Sequence, residues 1–224
     1  MRSCFYVALI FALMFSHAKS FASELSVEQA INACATVEWC EFVAAPSAFS
    51  KTTGNRDVIP LQIKRISLSL PRTLTRLDIF DPPLVSIKLG AHRAHISVVD
   101  FSNIQALAEK EKCAISPKAF WDLIFTKDLR SPPPATLCLQ SAWLAAAMSK
   151  SAITYQGAHN AKTYAINGVF LYTVETTSAP FKRISIAVQE GLDDRYLQIM
   201  DDGLEESEIL NILASVAFDP AKDR

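Results

Sequence analysis

Histidine is the first residue type to weigh for chemistry, and of the four in the chain His92 and His95 form the only close pair. Side chains three apart on a strand point to opposite faces, so these two imidazoles are poorly placed to share a metal ion or pass a proton. A solvated hairpin turn accounts for both, and a second turn accounts for His159 in Gln156-Gly157-Ala158-His159-Asn160. A serine brought to His92, His95 or His159 by folding would leave no fixed spacing, because triads assemble across a fold. The sequence has no G-x-S-x-G elbow, Walker loop, G-x-G-x-x-G or H-E-x-x-H, and its six glycines are too scattered to cradle a phosphate. No catalytic residue, cofactor or metal site is assigned.

Cysteines and acids are more informative. Beyond Cys4, which sits in an N-terminal apolar run, the chain carries Cys34, Cys40, Cys113 and Cys138. An even count in an exported protein reads as disulfides. Of the three connectivities, locality favours Cys34 with Cys40 and Cys113 with Cys138. There is no C-x-x-C and no histidine near either pair in sequence, which argues against zinc or redox chemistry. Between Asp193 and Glu208 stand seven acids against the single base Arg195. Glu205, Glu206 and Glu208 suit the first turns of a helix. Asp193, Asp194, Asp201 and Asp202 flank one short strand, and their spacing lacks the alternation of a calcium loop. They are expected to be exposed, free of internal cations, and the contact surface for a basic protein partner.

The setting for these residues follows from the N-terminus. Arg2, the apolar run Cys4 to Phe15 and the polar stretch Ser16 to Ser20 have the order of a signal peptide, with Ser20-Phe21-Ala22 as its cleavage pattern. Twelve apolar residues fall short of the roughly twenty that span a bilayer. The expectation is a signal over residues 1–22 and one domain over 23–224, periplasmic or secreted, with no membrane anchor after cleavage. Loss of Arg2 and Lys19 leaves 20 Lys and Arg against 23 Asp and Glu, a balance that argues against nucleic acid as partner. Half of the residues are hydrophobic, ample for a core.

The elements that must hold this chemistry are set by periodicity. Ser26 and Gln29 open a short helix to about Cys34, with Trp39 packing on the first disulfide. Ile59, Leu61 and Ile63, then Ile66, Leu68 and Leu70, alternate as one strand with a bulge at Lys64 and Arg65. Leu74 to Phe80 is a further strand, and Leu84 to Leu89 with Ala94 to Val99 make a hairpin turning at Gly90 to Arg93. Helices follow from Ser102 to about Lys112 and from Ser116-Pro117 to Leu129. The three prolines at 132–134 form, with Ser131, a rigid spacer. Ala135 to Lys150, rich in Leu137, Leu139, Trp143, Leu144 and Met148, reads as a buried helix. Tyr155, Ala161 to Thr177 with a turn at Asn167-Gly168, Phe181 to Gln189 and Tyr196 to Met200 return to strand. A helix from Leu204 to about Ser215 ends the chain. The fold class is α+β, a largely antiparallel sheet packed with helices and stabilised by disulfides. The helical pairs Phe120 with Ile124 and Trp121 with Phe125 are expected to fill a core.

The last hundred residues, a buried helix, antiparallel strands and a final amphipathic helix ending in Ile209-Leu210-Asn211-Ile212-Leu213-Ala214-Ser215-Val216-Ala217-Phe218, resemble the closing part of PsbP-like α/β sandwich domains. What the resemblance implies is a binding or accessory module without catalysis, an analogy of fold. The leading expectation is an exported, non-enzymatic protein that neutralises or assists another envelope protein. Two alternatives stand beside it. One is a serine-type hydrolase assembled across the fold. The other is a carrier of an apolar small molecule with a cavity lined by Trp121, Phe125 and Trp143.

Overall fold

The computed structural model describes residues 42–48, 58–80, 84–110, 113–129, 140–177, 180–189 and 194–218. The expected signal peptide and Ser26 helix, Trp39, Cys34, Cys40, Cys138, the expected spacer 131–134, Leu137, Leu139 and Asp193 lie outside them. In chain order come β1 (Ala45–Pro46), β2 (Val58–Ile63), β3 (Ile66–Pro71), β4 (Leu74–Phe80), β5 (Leu84–Leu89) and β6 (His92–Asp100). Next are α1 (Ser102–Lys110), α2 (Pro117–Thr126) and α3 (Gln140–Tyr155), then β7 (His159–Ile166), β8 (Val169–Glu175), β9 (Arg183–Gln189) and β10 (Arg195–Asp201). The described chain closes with α4 (Glu206–Ala214) and β11 (Ala217–Phe218). Eight strands form one sheet in the order β1-β7-β8-β9-β10-β6-β5-β4, and β11-β3-β2 form a second. Only the β1–β7 pair is parallel among the described strands. The α+β class read from the sequence is therefore the observed one, antiparallel sheet with four described helices.

Both faces of the large sheet are covered, which is why its central strands read as near-continuous apolar runs. Tyr172, Val174, Ile184, Ile186, Val188, Tyr196 and Met200 point to one side, where α1, α2 and α3 bring Phe101, Ile104, Phe120, Trp121, Ile124, Phe125 and Trp143. The alternate residues Leu171, Ala187, Leu197 and Ile199, with Val85, Ile87 and Ile96, pack on the other side against the small sheet and α4. Two hydrophobic layers thus share one sheet. Ser116 caps α2 by accepting from Ala119 N at 3.2 Å, with Pro117 at the first helical position. Tyr172 Oη ties that helix to β8 by donating to Asp122 Oδ1 at 2.7 Å. Among the described residues no helix is long and apolar enough to cross a membrane.

Several boundaries differ from the sequence expectation, each for a physical reason. Lys64 and Arg65 are a two-residue hairpin turn, not a bulge; Lys64 takes a left-handed φ of 53°. The turn folds β2 onto β3 so that Ile63 meets Ile66, Leu61 meets Leu68 and Ile59 meets Leu70. The shift between the two apolar sets is the turn itself, since residues paired across a hairpin share a face. The β5–β6 turn is only Gly90 and Ala91, so His92 and His95 are strand residues. Tyr155 ends α3 and does not begin a strand: Ala142, Ala146, Lys150 and Ile153 continue its buried stripe until Gly157, at φ 74°, stops it. The expected turn at Asn167 and Gly168 is present, with φ of 50° and 78°.

Candidate binding face

Where β7 to β10 approach α4, period-two alternation in apolar strands is broken by polar residues of one parity. Arg183 is paired in register with Asp201 on one side and Glu175 on the other, and Glu175 is paired with His159. A single row of opposite charges therefore crosses four strands. His159 joins the row because a bulge in β7, with Asn160 at φ 50°, lets it and Lys162 project to the same side. Arg183 Nη1 lies 3.9 Å from Asp201 Oδ2, Arg183 Nη2 lies 3.9 Å from Glu175 Oε1, and His159 Nε2 lies 3.4 Å from Glu175 Oε2. In the next row Ser185, Thr173 and Lys162 are paired in register.

This network stitches α4 to the sheet. Asp201 Oδ1 accepts from the backbone N–H of Gly203 at 3.0 Å and of Leu204 at 2.9 Å, and Arg183 Nη1 donates to the Leu204 carbonyl at 3.2 Å. Glu206, in the first turn of α4, accepts from Lys162 Nζ and from Tyr164 Oη, both at 2.7 Å. Burial raises the Asp201 carboxyl above the ordinary carboxylate range, with Arg183 and the two amides opposing. The Lys162 hydrogen bond lowers that of Glu206, against its partial burial. Burial first, and then Glu206, pushes the Tyr164 phenol upward. The Ser185 hydroxyl and Asp201 Oδ2 are buried with no hydrogen-bond partner among the described residues. Accessibility rises along the row, from 0% for the Asp201 side chain and 12% for Arg183 to 32% for Glu175 and 52% for His159. With Lys162 and Glu206 also reaching solvent, alternating charges are presented on a rigid support.

The acidic residues singled out in the sequence require correction. Asp201 is buried, because its parity matches Leu197 and Ile199, and its carboxylate serves the turn into α4. Asp202 Oδ1 accepts from Arg93 N at 2.8 Å and lies 3.3 Å from His92 Nδ1. Asp194 accepts from Arg195 Nε at 3.0 Å and lies 4.0 Å from Arg65 Nη1. Three of the four are thus paired within the fold, Asp201 and Asp194 with arginines and Asp202 with the Arg93 amide and His92, and the expected freedom from internal cations does not hold for Asp194 and Asp201.

The histidines are likewise accounted for. His92 faces Asp202, and His95, on the opposite face of β6, packs edge-on against Phe181 at 5.4 Å. Burial, and then Arg93, lowers the His95 pKa. His159 is a strand residue with Nδ1 at 3.0 Å from the Gly157 carbonyl. Among the described residues no group of three or more His, Cys, Asp or Glu is placed to hold a metal ion. Trp121, Phe125 and Trp143 are buried in one cluster; Trp121 meets Phe125 at 6.0 Å and Tyr196 at 5.1 Å, and Phe125 meets Tyr172 at 5.3 Å. Cys113 is half-buried at the edge of this cluster.

The sequence reading passed over Glu175, Lys162 and Tyr164, and weighed Arg183 only as an internal cation that could pair with the acids. Their signal was present in two strands: Thr173 with Glu175 and Arg183 with Ser185 are polar residues two apart in otherwise apolar runs, while the strand of Lys162 and Tyr164 is polar along half its length. By fold the described residues form an antiparallel α+β structure with a charged row beneath α4. Comparison with family models, with curated proteins and with solved structures finds no match.

Proposed function

We propose that the chain is an exported, non-enzymatic binding or accessory protein that uses the charged face beside α4 to hold a polar protein surface. The observation that carries this reading is the row of opposite charges, buried at Asp201 and open at His159 and Glu175. Charges held by a sheet and a helix lose little freedom when a partner docks, and their alternation selects a complementary pattern. His92 beside Asp202 and His159 beside Glu175 are pairings that a hydrolase also uses, and turnover assays distinguish the two readings. The same reading takes residues 1–22 as the export signal and Cys34–Cys40 and Cys113–Cys138 as disulfides. The resemblance to PsbP-like domains agrees with it in class.

The test is capture from an envelope extract with the wild-type mature protein and with a Glu175→Lys/Glu206→Lys variant of unchanged circular dichroism. A partner held by the wild type and lost with the variant supports the reading, with capture weakening as salt rises. Equal capture by both places the surface elsewhere. Turnover of ester or peptide substrates by the wild type overturns the non-enzymatic assignment.

A further inference from the structure

Among the described strands β4 ends the large sheet and pairs with β5 alone. Such an edge offers unpaired backbone groups to another strand, and folded proteins normally blunt it with charge, proline or cover. Here it carries apolar side chains into solvent: Leu77 is 38% exposed, Ile79 68% and Phe80 51%. A register shift at Thr75 leaves Arg76 to Phe80 as the regular part of the edge.

Its charges decide what fits. Arg76 and Asp78 share a face of β4, with Nε donating to Oδ2 at 2.7 Å, and both reach solvent. Across the strand pair Arg76 stands opposite Lys88, a like-charge neighbour. If a second β4 runs antiparallel beside the first with Leu77 opposite Leu77, each Arg76 meets the other copy's Asp78, and Ile79 falls opposite Thr75. The adjacent registers that keep the faces aligned set Arg76 against Arg76 or Asp78 against Asp78. The short strand is thus self-complementary in a single register, and the partner's carboxylate relieves the Arg76–Lys88 repulsion.

We infer that β4 is the interface between two copies of this chain, joined about a two-fold axis at Leu77 into one continuous sheet through paired Arg76 and Asp78. The seam is a single short strand pair, and the inferred dimer is a weak one, in the micromolar range. It is independent of the charged face beside α4, which lies at β7 to β10.

Sedimentation of the mature protein from about 1 to 200 µM brackets such an affinity. The wild type is expected to shift from monomer to dimer over this range. Arg76→Asp or Asp78→Arg alone creates two like-charge pairs by symmetry and raises the dissociation constant at least roughly tenfold. The combined exchange Arg76→Asp/Asp78→Arg restores both pairs and the dimer. These positions are exposed, and circular dichroism checks that each variant folds. A wild type that stays monomeric overturns the inference. So do single variants that dimerise as well as the wild type, or a combined variant that fails to recover.

Discussion

Replacing Asp201 separates a surface acid from one that builds the fold. Asp201→Ala leaves the amides of Gly203 and Leu204 without their acceptor and Arg183 without the carboxylate beside it. Hydrogen bonds to a charged group contribute about 1.5–3 kcal/mol each, and removing a buried carboxylate recovers part of its desolvation. The net loss should be about 2–3 kcal/mol. In a domain of this size each kcal/mol moves Tm by roughly 2–4 °C, so thermal melts should fall by roughly 4–12 °C. Asp201→Asn keeps an acceptor for both amides and should lose less than about 1 kcal/mol at neutral pH. The pH dependence adds a second readout. Because burial raises the folded-state pKa of Asp201, the native protein holds its proton above the pH at which the unfolded chain has released it. The Asp201 contribution to stability therefore falls as pH rises from the ordinary carboxylate range through that raised value, and Asp201→Asn lacks this contribution. Melts followed by circular dichroism between about pH 4 and 8 compare the slopes. An alanine variant within about 1 °C of wild type would refute the anchoring role, and an asparagine variant with the wild-type slope would refute the linkage.

Other substitutions test separate parts of the fold. Gly168→Ala, at φ 78° with open space around it, should lose about 1 kcal/mol in urea unfolding. Gly157→Ala should lose more, because its Cβ would collide with Thr177 Oγ1 as well as adopt a φ of 74°. Phe125→Ala, fully buried between Phe42, Trp121 and Tyr172, should destabilise by about 3–5 kcal/mol; a loss below about 1 kcal/mol would mean that the aromatic layer is loosely packed. For Glu206 the linkage has the opposite sign: its lowered carboxyl pKa stabilises above the ordinary carboxylate range and loses that effect as pH falls through the folded value. The gap between wild type and Glu206→Gln should be small, since Glu206 is 42% exposed, and should vanish in acid; a gap that persists there would contradict the pairing.

Local chemistry was legible in the chain. Asn167-Gly168 demands left-handed backbone and made its hairpin, Ser116-Pro117 began α2, and alternation marked β5, β6 and β8 to β10. Each of these rests on neighbours a few residues apart, and so does the α+β class. Lys64 was misread because a tight turn and a bulge displace the alternation equally, and only pairing across β2 and β3 distinguishes them. The charged row was legible only as isolated polar residues. Asp201, Arg183, Glu175 and His159 become neighbours through strand order and register, which sequence spacing does not encode. β10, held between β6 and β9, has one face covered by α1 to α3 and the other by the small sheet and α4, which turns Asp201 inward while Asp202, one residue on, faces the β6 end. A strand's period says that two faces alternate; which of them is buried, and against what, depends on partners more than a hundred positions away, as Ser69 and Ser215 are when they meet.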